Sequence, residues 1–293
     1  MNRTARGIAA LLALLLGVAA CGGVREDPIL QLSSAEALAE GRKLMAEGKF
    51  GPARRYFIHA FEVEPNSATG REGLLLAADA FFMAGGEDNL IKAEARYRDF
   101  VNRFPTSEHA AYAQFQIGLS QSRRIAKPDR DQAVSKQALQ SLEEVRRFYP
   151  TSTYAEQAAE EIERVRGRLA EHDYLVGRFY QRFGLPFSAI QRYEYLLENY
   201  PEYDEKDKVL YHLCTAYADR KGQGDGQRAR DVCDRLAREF PESEYVAKIP
   251  KKWPEDPKQP PAPAQPDAKD EPAETRAGAG RGTYPPPAAD DGL

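Results

Sequence analysis

Five prolines punctuate the middle of this chain, Pro65, Pro105, Pro150, Pro201 and Pro241, and each follows an alanine by twelve residues: Ala53, Ala93, Ala138, Ala189 and Ala229. Four residues past each alanine stands Phe57, Tyr97, Leu142, Tyr193 or Cys233, and three further on Ala60, Phe100, Val145, Leu196 or Leu236. Such offsets fall on one face of an α-helix. An aromatic residue precedes four of the prolines (Phe104, Tyr149, Tyr200, Phe240), and a serine stands two after four of them (Ser67, Ser107, Ser152, Ser243). Proline cannot continue a helix and pushes its predecessor out of the helical region, so each one closes a helix. The serine is placed to cap the next helix by accepting from an unpaired amide. The small alanine lets two antiparallel helices approach closely. Gly41 and Gly177 stand twelve before Ala53 and Ala189, where the facing helix must be equally slim. Gly48, Gly184 and Gly224 stand five before their alanines, in the turn between the helices.

This pattern resembles the tetratricopeptide repeat, a helix–turn–helix unit of about 34 residues with small residues at its crossing point and a closing proline. The first unit, Ser34 to Ser67, fits it without a gap, and the fourth, Ala170 to Tyr203, nearly so. The prolines are 40, 45, 51 and 40 residues apart, so the units carry inserts. One is the charged stretch Arg123 to Ser135; another lengthens the helix after Ser152 towards Phe183. The fold expected is therefore all-α, an α-solenoid of about five tetratricopeptide-like repeats over residues 34–249. Such a stack buries its apolar faces unit by unit and needs no single large core. That explains how a chain that is 29% charged can fold.

The two ends read differently. Arg3 and Arg6 precede an apolar run from Ile8 to Ala20. That run is short for a membrane span, so residues 1–20 read as an export signal. Val18-Ala19-Ala20-Cys21 resembles the lipobox of bacterial lipoproteins, which implies acylation of Cys21 and a lipidated tether over 21–33. The alternative is a plain secretory signal that leaves Cys21 as a free thiol. Gly22 and Gly23 follow in place of a retention aspartate, which points to the periplasmic face of the outer membrane. Eleven of the twenty prolines lie in residues 250–293, a proline-rich tail of disordered composition. With 41 basic against 45 acidic residues the chain has no electrostatic footprint for nucleic acid.

A solenoid presents a concave face made by the first helices of its units. Projected as helices, these put Leu38, Arg42, Met45, Ala78, Phe82, Phe115 and Leu119 on that face, a peptide groove, with packing between repeats as the alternative. Enzymatic signatures are absent. His59, His109, His172 and His212 form no metal-binding pair, Gly222 to Gly226 is a turn between helices, and no cofactor is expected. If the fifth unit is an ordinary repeat, Cys214 and Cys233 come close, either as a disulfide or as two small buried hydrophobes.

With its tether and five repeats, the chain resembles the BamD family of lipoproteins from the outer-membrane protein assembly machine. The likeness is densest in Asp129-Arg130-Asp131-Gln132, the Phe148-Tyr149-Pro150 turn, Arg168-Leu169-Ala170-Glu171, and Tyr180 to Gly184 with Ala189 to Glu194. The resemblance implies a non-enzymatic scaffold whose partners are the assembly barrel subunit, accessory lipoproteins and unfolded outer-membrane proteins. It also implies that Arg192, on the second helix of the fourth repeat, grips the barrel subunit's periplasmic domain. The tail after the fifth repeat departs from that family. The other readings are another periplasmic repeat lipoprotein, a cell-division coordinator or a pilus assembly factor, and a helical cell-wall lyase. The last needs a catalytic domain that no segment supplies.

Overall fold

The computed structural model describes residues 27–253, and helices alternate with short turns along all of them. They are α1 Ser34–Ala46, α2 Phe50–Val63, α3 Ala68–Ala84, α4 Glu87–Arg103, α5 Ala110–Ser122, α6 Ala133–Phe148, α7 Thr153–Arg182, α8 Pro186–Asn199, α9 Lys206–Arg220 and α10 Asp225–Glu239. Each packs on the next in the chain, and no strand occurs among the described residues. The protein is an all-α stack of tetratricopeptide-like helix pairs.

The punctuation has its expected physical result. α2, α4, α6, α8 and α10 each end two residues before their proline. The residue between adopts φ from −127° to −138°, outside the helical basin. Ala53, Ala93, Ala138, Ala189 and Ala229 are all 0% exposed, and the residues four and seven further on are buried with them. Ser67 caps α3 by accepting from Gly70 N at 2.9 Å, and Ser152 caps α7. Ser107 departs from the pattern. It accepts from His109 N inside a turn, and α5 starts only at Ala110. Ser243 is followed by a single 3-10 turn, Val246–Lys248, rather than an α-helix.

The glycine positions act through rings rather than through the alanines opposite them. A Cβ on Gly41 would lie 2.5 Å from the Phe57 ring, and one on Gly177 would lie 2.5 Å from the Tyr193 ring. In the turns, Gly48 and Gly184 take φ of +73° and +71°, a conformation that side chains disfavour.

Four separate cores run along the stack. The first joins Phe57 to Ala77 and Ala80 of the next unit; the second joins Tyr97 and Phe100 to Ala113 and Ile117. The third packs Leu142 and Val145 against Ala158, Ile162, Val165 and Leu169, and the last packs Tyr193 and Leu196 against Leu213, Cys214 and Cys233. α7 is thus shared: its first half completes the third unit and its second half opens the fourth.

Candidate partner-binding surface

Arg192 stands on α8 above a buried carboxylate. Its Nη1 donates to Asp173 Oδ1 of α7 at 3.2 Å; the arginine side chain is 45% exposed, the aspartate 8%. Burial pushes the Asp173 carboxyl up, while the Arg192 and His172 charges oppose that shift. The guanidinium therefore anchors the α7–α8 crossing and still presents nearly half its surface to solvent. Tyr200, pushed up to about 12 by burial and the charge of Asp173, lines an adjoining open cavity of about 740 Å³. Three arginines, Arg164, Arg166 and Arg168, share that cavity with five carboxylates, so its charge is mixed with an acidic excess.

On the fourth-to-fifth seam, Tyr174 and Arg178 of α7 meet Lys208 and His212 of α9. Arg178 donates to His212 Nε2, and Lys208 pairs with Glu171 at 2.9 Å and with Glu205. Tyr193 of α8 lies 6.3 Å from the imidazole, as does Tyr245, and Lys248 adds a third cation. Burial, then the charges of Arg178, Lys208 and Lys248, lower the His212 pKa to about 4, so the ring is a neutral acceptor. A histidine with a depressed folded pKa contributes stability above its ordinary value of 6.5, lost as pH falls towards 4. Wild-type protein is expected to lose stability more steeply than His212→Gln across that window. Urea titrations at several pH values check this; parallel slopes would reject it.

The groove reading needs correcting. Leu38, Ala78, Phe82 and Phe115 are 4%, 0%, 5% and 8% exposed and lie in the cores. Arg123, from the inserted loop, covers the Phe82 ring at 4.0 Å, and Phe115 stacks on Tyr154 at 5.8 Å. Met45 and Leu119 are half-buried against the same cores, and Arg42 is exposed and paired with Glu72. Apart from Arg42, which stays on the surface, these residues pack between helices, because the concave sector of a lone helix adjoins the sector that meets the next repeat. Cys214 and Cys233 form a disulfide between α9 and α10, with Cα atoms 5.6 Å apart. Cys21 and the tail beyond Trp253 lie outside the described residues.

Two polar clusters escaped the sequence reading. Tyr97 and Tyr112 both donate to Asp79 Oδ1, at 2.6 and 2.7 Å, where burial raises the carboxyl above its usual range. Asp225 is fully buried at the start of α10, accepting from Arg220 Nε at 2.6 Å and Gly222 N at 2.7 Å. An aspartate inside the apolar run Leu74 to Phe82 was the available signal for the first.

The family model described as YfiO, outer membrane lipoprotein, matches residues 31–230. The outer membrane protein assembly factor BamD of Caulobacter vibrioides is 29% identical over 219 residues, 74% of this chain and 70% of that protein. The protein of the same name from Rickettsia prowazekii is 26% identical, covering 72% of this chain and 82% of its own. The structure of the TPR2AB domain of yeast Sti1 in its pHSP90 complex is 15% identical over 73% of this chain and 80% of that one, at a TM-score of 0.39.

Proposed function

The chain belongs to the YfiO family of outer membrane lipoproteins, and from that premise we propose that it is a non-catalytic, lipid-anchored scaffold in the assembly of outer-membrane β-barrel proteins. The observation that carries this reading is the family match across nearly the whole repeat stack, 31–230, among relatives named for that assembly. In this reading residues 1–20 are removed, Cys21 carries the lipid, 21–33 form the tether and 34–249 the working solenoid. The anchor holds the stack at the periplasmic face of the outer membrane, and several acyl chains on one residue make that attachment lasting.

Arg192 is the proposed grip on the barrel subunit's periplasmic domain, and unfolded barrel proteins are the proposed cargo of the amino-terminal repeats. A half-exposed guanidinium already fixed by Asp173 suits the first role, since a pre-oriented fork loses little freedom on meeting a partner carboxylate. Arg192→Glu is expected to lower co-purification of the barrel subunit by about tenfold or more, as loss of an interface charge pair does. Because that change also sets a carboxylate beside Asp173, Asp173→Asn is the control: it breaks the internal pair and keeps the cation. Retained co-purification in Asp173→Asn with loss in Arg192→Glu supports the contact. Equal loss in both, or in neither, removes Arg192 from the interface.

A further inference from the structure

Along α7 runs a second pattern, Ala158, Ile162, Val165, Leu169, His172, Val176, Phe179 and Phe183, with spacings that alternate four and three. This is the seam of a coiled-coil helix. Its first half is covered by the third unit, with Ala158, Ile162, Val165 and Leu169 all buried. Cover ends at His172, whose Nδ1 donates to the Pro128 carbonyl of the α5–α6 loop at 2.6 Å. Beyond that point Val176 is half-buried, while Phe179 and Phe183 are 49% and 61% exposed. The cause is length. α7 has 30 residues, about 45 Å, whereas its partner α6 has 16, so the second half outruns the unit it packs on. An open cavity of about 590 Å³ follows the bare seam, lined by Pro128, Leu175, Val176, Phe179, Tyr180 and Arg182.

Charge selects the occupant. Arg178 and Arg182 flank the bare half, and among the described residues no ion pair joins either to a carboxylate; Asp129 is the one acid lining the cavity. Arg178 also donates to His212 Nε2, so Arg182 is the cation left open beside the stripe, and a second copy docked through the same stripe would bring like cations together across a two-fold axis. After residue 253 only Tyr284 and Leu293 are large apolar residues, so the chain's own tail has no matching stripe. We propose that the open half of the seam, Val176 to Phe183, docks an amphipathic helix of a partner protein that carries acidic residues beside its apolar stripe. The site is independent of the assembly reading, since it rests on α7 and the α5–α6 loop beside it.

The test uses the full-length protein in detergent and two stapled synthetic helices with leucine at a and d, one with glutamate at e and g, its twin with lysine. Fluorescence anisotropy is expected to show the glutamate helix binding about tenfold or more tighter than its twin. Phe179→Ser with Phe183→Ser is expected to abolish that binding at unchanged circular dichroism, because both rings are largely exposed. Arg178→Glu with Arg182→Glu is expected to invert the preference between the two helices. Equal binding of both helices, or binding indifferent to the serine pair, overturns the proposal. So does concentration-dependent dimerisation that the serine pair removes, which assigns the stripe to a second copy. Loss, in the serine pair, of binding to phosphatidylglycerol-containing vesicles, with neither helix bound, also overturns it and assigns the stripe to lipid.

Discussion

Tyr193→Ala is expected to destabilise the protein by ~3–5 kcal/mol, as deletion of a buried aromatic ring does. The ring is 0% exposed and sits in the cluster that joins α7, α8, α9 and α10, so its loss loosens two repeats at once. It lies 6.2 Å from Tyr174 and 6.3 Å from His212, and its hydroxyl donates to Gln181 Oε1 at 3.2 Å. The ring also explains Gly177, since a Cβ there would come within 2.5 Å of it. Gly177→Ala is therefore expected to cost ~1–3 kcal/mol by overpacking. In the Tyr193→Ala background the same change should cost nothing, or stabilise by up to ~1 kcal/mol through helix propensity. Urea unfolding followed by the single tryptophan, Trp253, which packs on this cluster, reads all four corners of the cycle. A Gly177→Ala penalty that persists without the ring would show that the glycine is there for another reason.

The contrast between what was legible and what was not has a physical basis. Helix ends, crossing points and turns follow from short-range rules, and the five alanine–proline intervals carried all three; even the long α7 was foreshadowed by the missing break between Ser152 and Phe183. Ser107 failed as a cap because two further residues intervene before α5, a choice made by the turn and not by the serine. Leu38, Ala78, Phe82 and Phe115 took the alternative, packing between repeats, for a longer-range reason. Whether Phe82 meets a ligand or a neighbour depends on where the Arg123 loop lies, and an insert of irregular structure leaves no periodic trace. The bare half of the α7 seam was readable as spacing, but its exposure depends on α6 being shorter than α7. Arg192 was reached by resemblance; its bond to Asp173 joins two helices across 19 residues and could not be read from either alone.

Reduction of the Cys214–Cys233 bond is expected to lower stability by about 3 kcal/mol, the loop-closure value for a cross-link spanning some twenty residues. The position gives the bond its meaning. In the fourth unit the places 19 residues apart on facing helices hold Tyr174 and Tyr193, whose rings pack 6.2 Å apart between two neighbours. In the fifth unit the same places hold the two cysteines, and among the described residues no further α-helix follows to cover α10; Ile249 and Trp253 fold back onto the cluster and Tyr245 onto Tyr211 and His212 of α9. Among the described residues the fifth repeat has one neighbour where an internal repeat has two, and a stack stabilised by nearest-neighbour contacts opens first at such a unit. A covalent bond between its helices offsets the missing neighbour by restricting the opened state. With reductant, or in Cys214→Ser with Cys233→Ser, the Trp253 signal is expected to change at lower urea than the far-ultraviolet helical signal; the oxidised protein should show one coincident transition. Iodoacetamide should modify neither cysteine in the denatured, unreduced protein. Ready alkylation before reduction, or an unchanged unfolding midpoint after it, would mean that packing alone holds the last repeat closed.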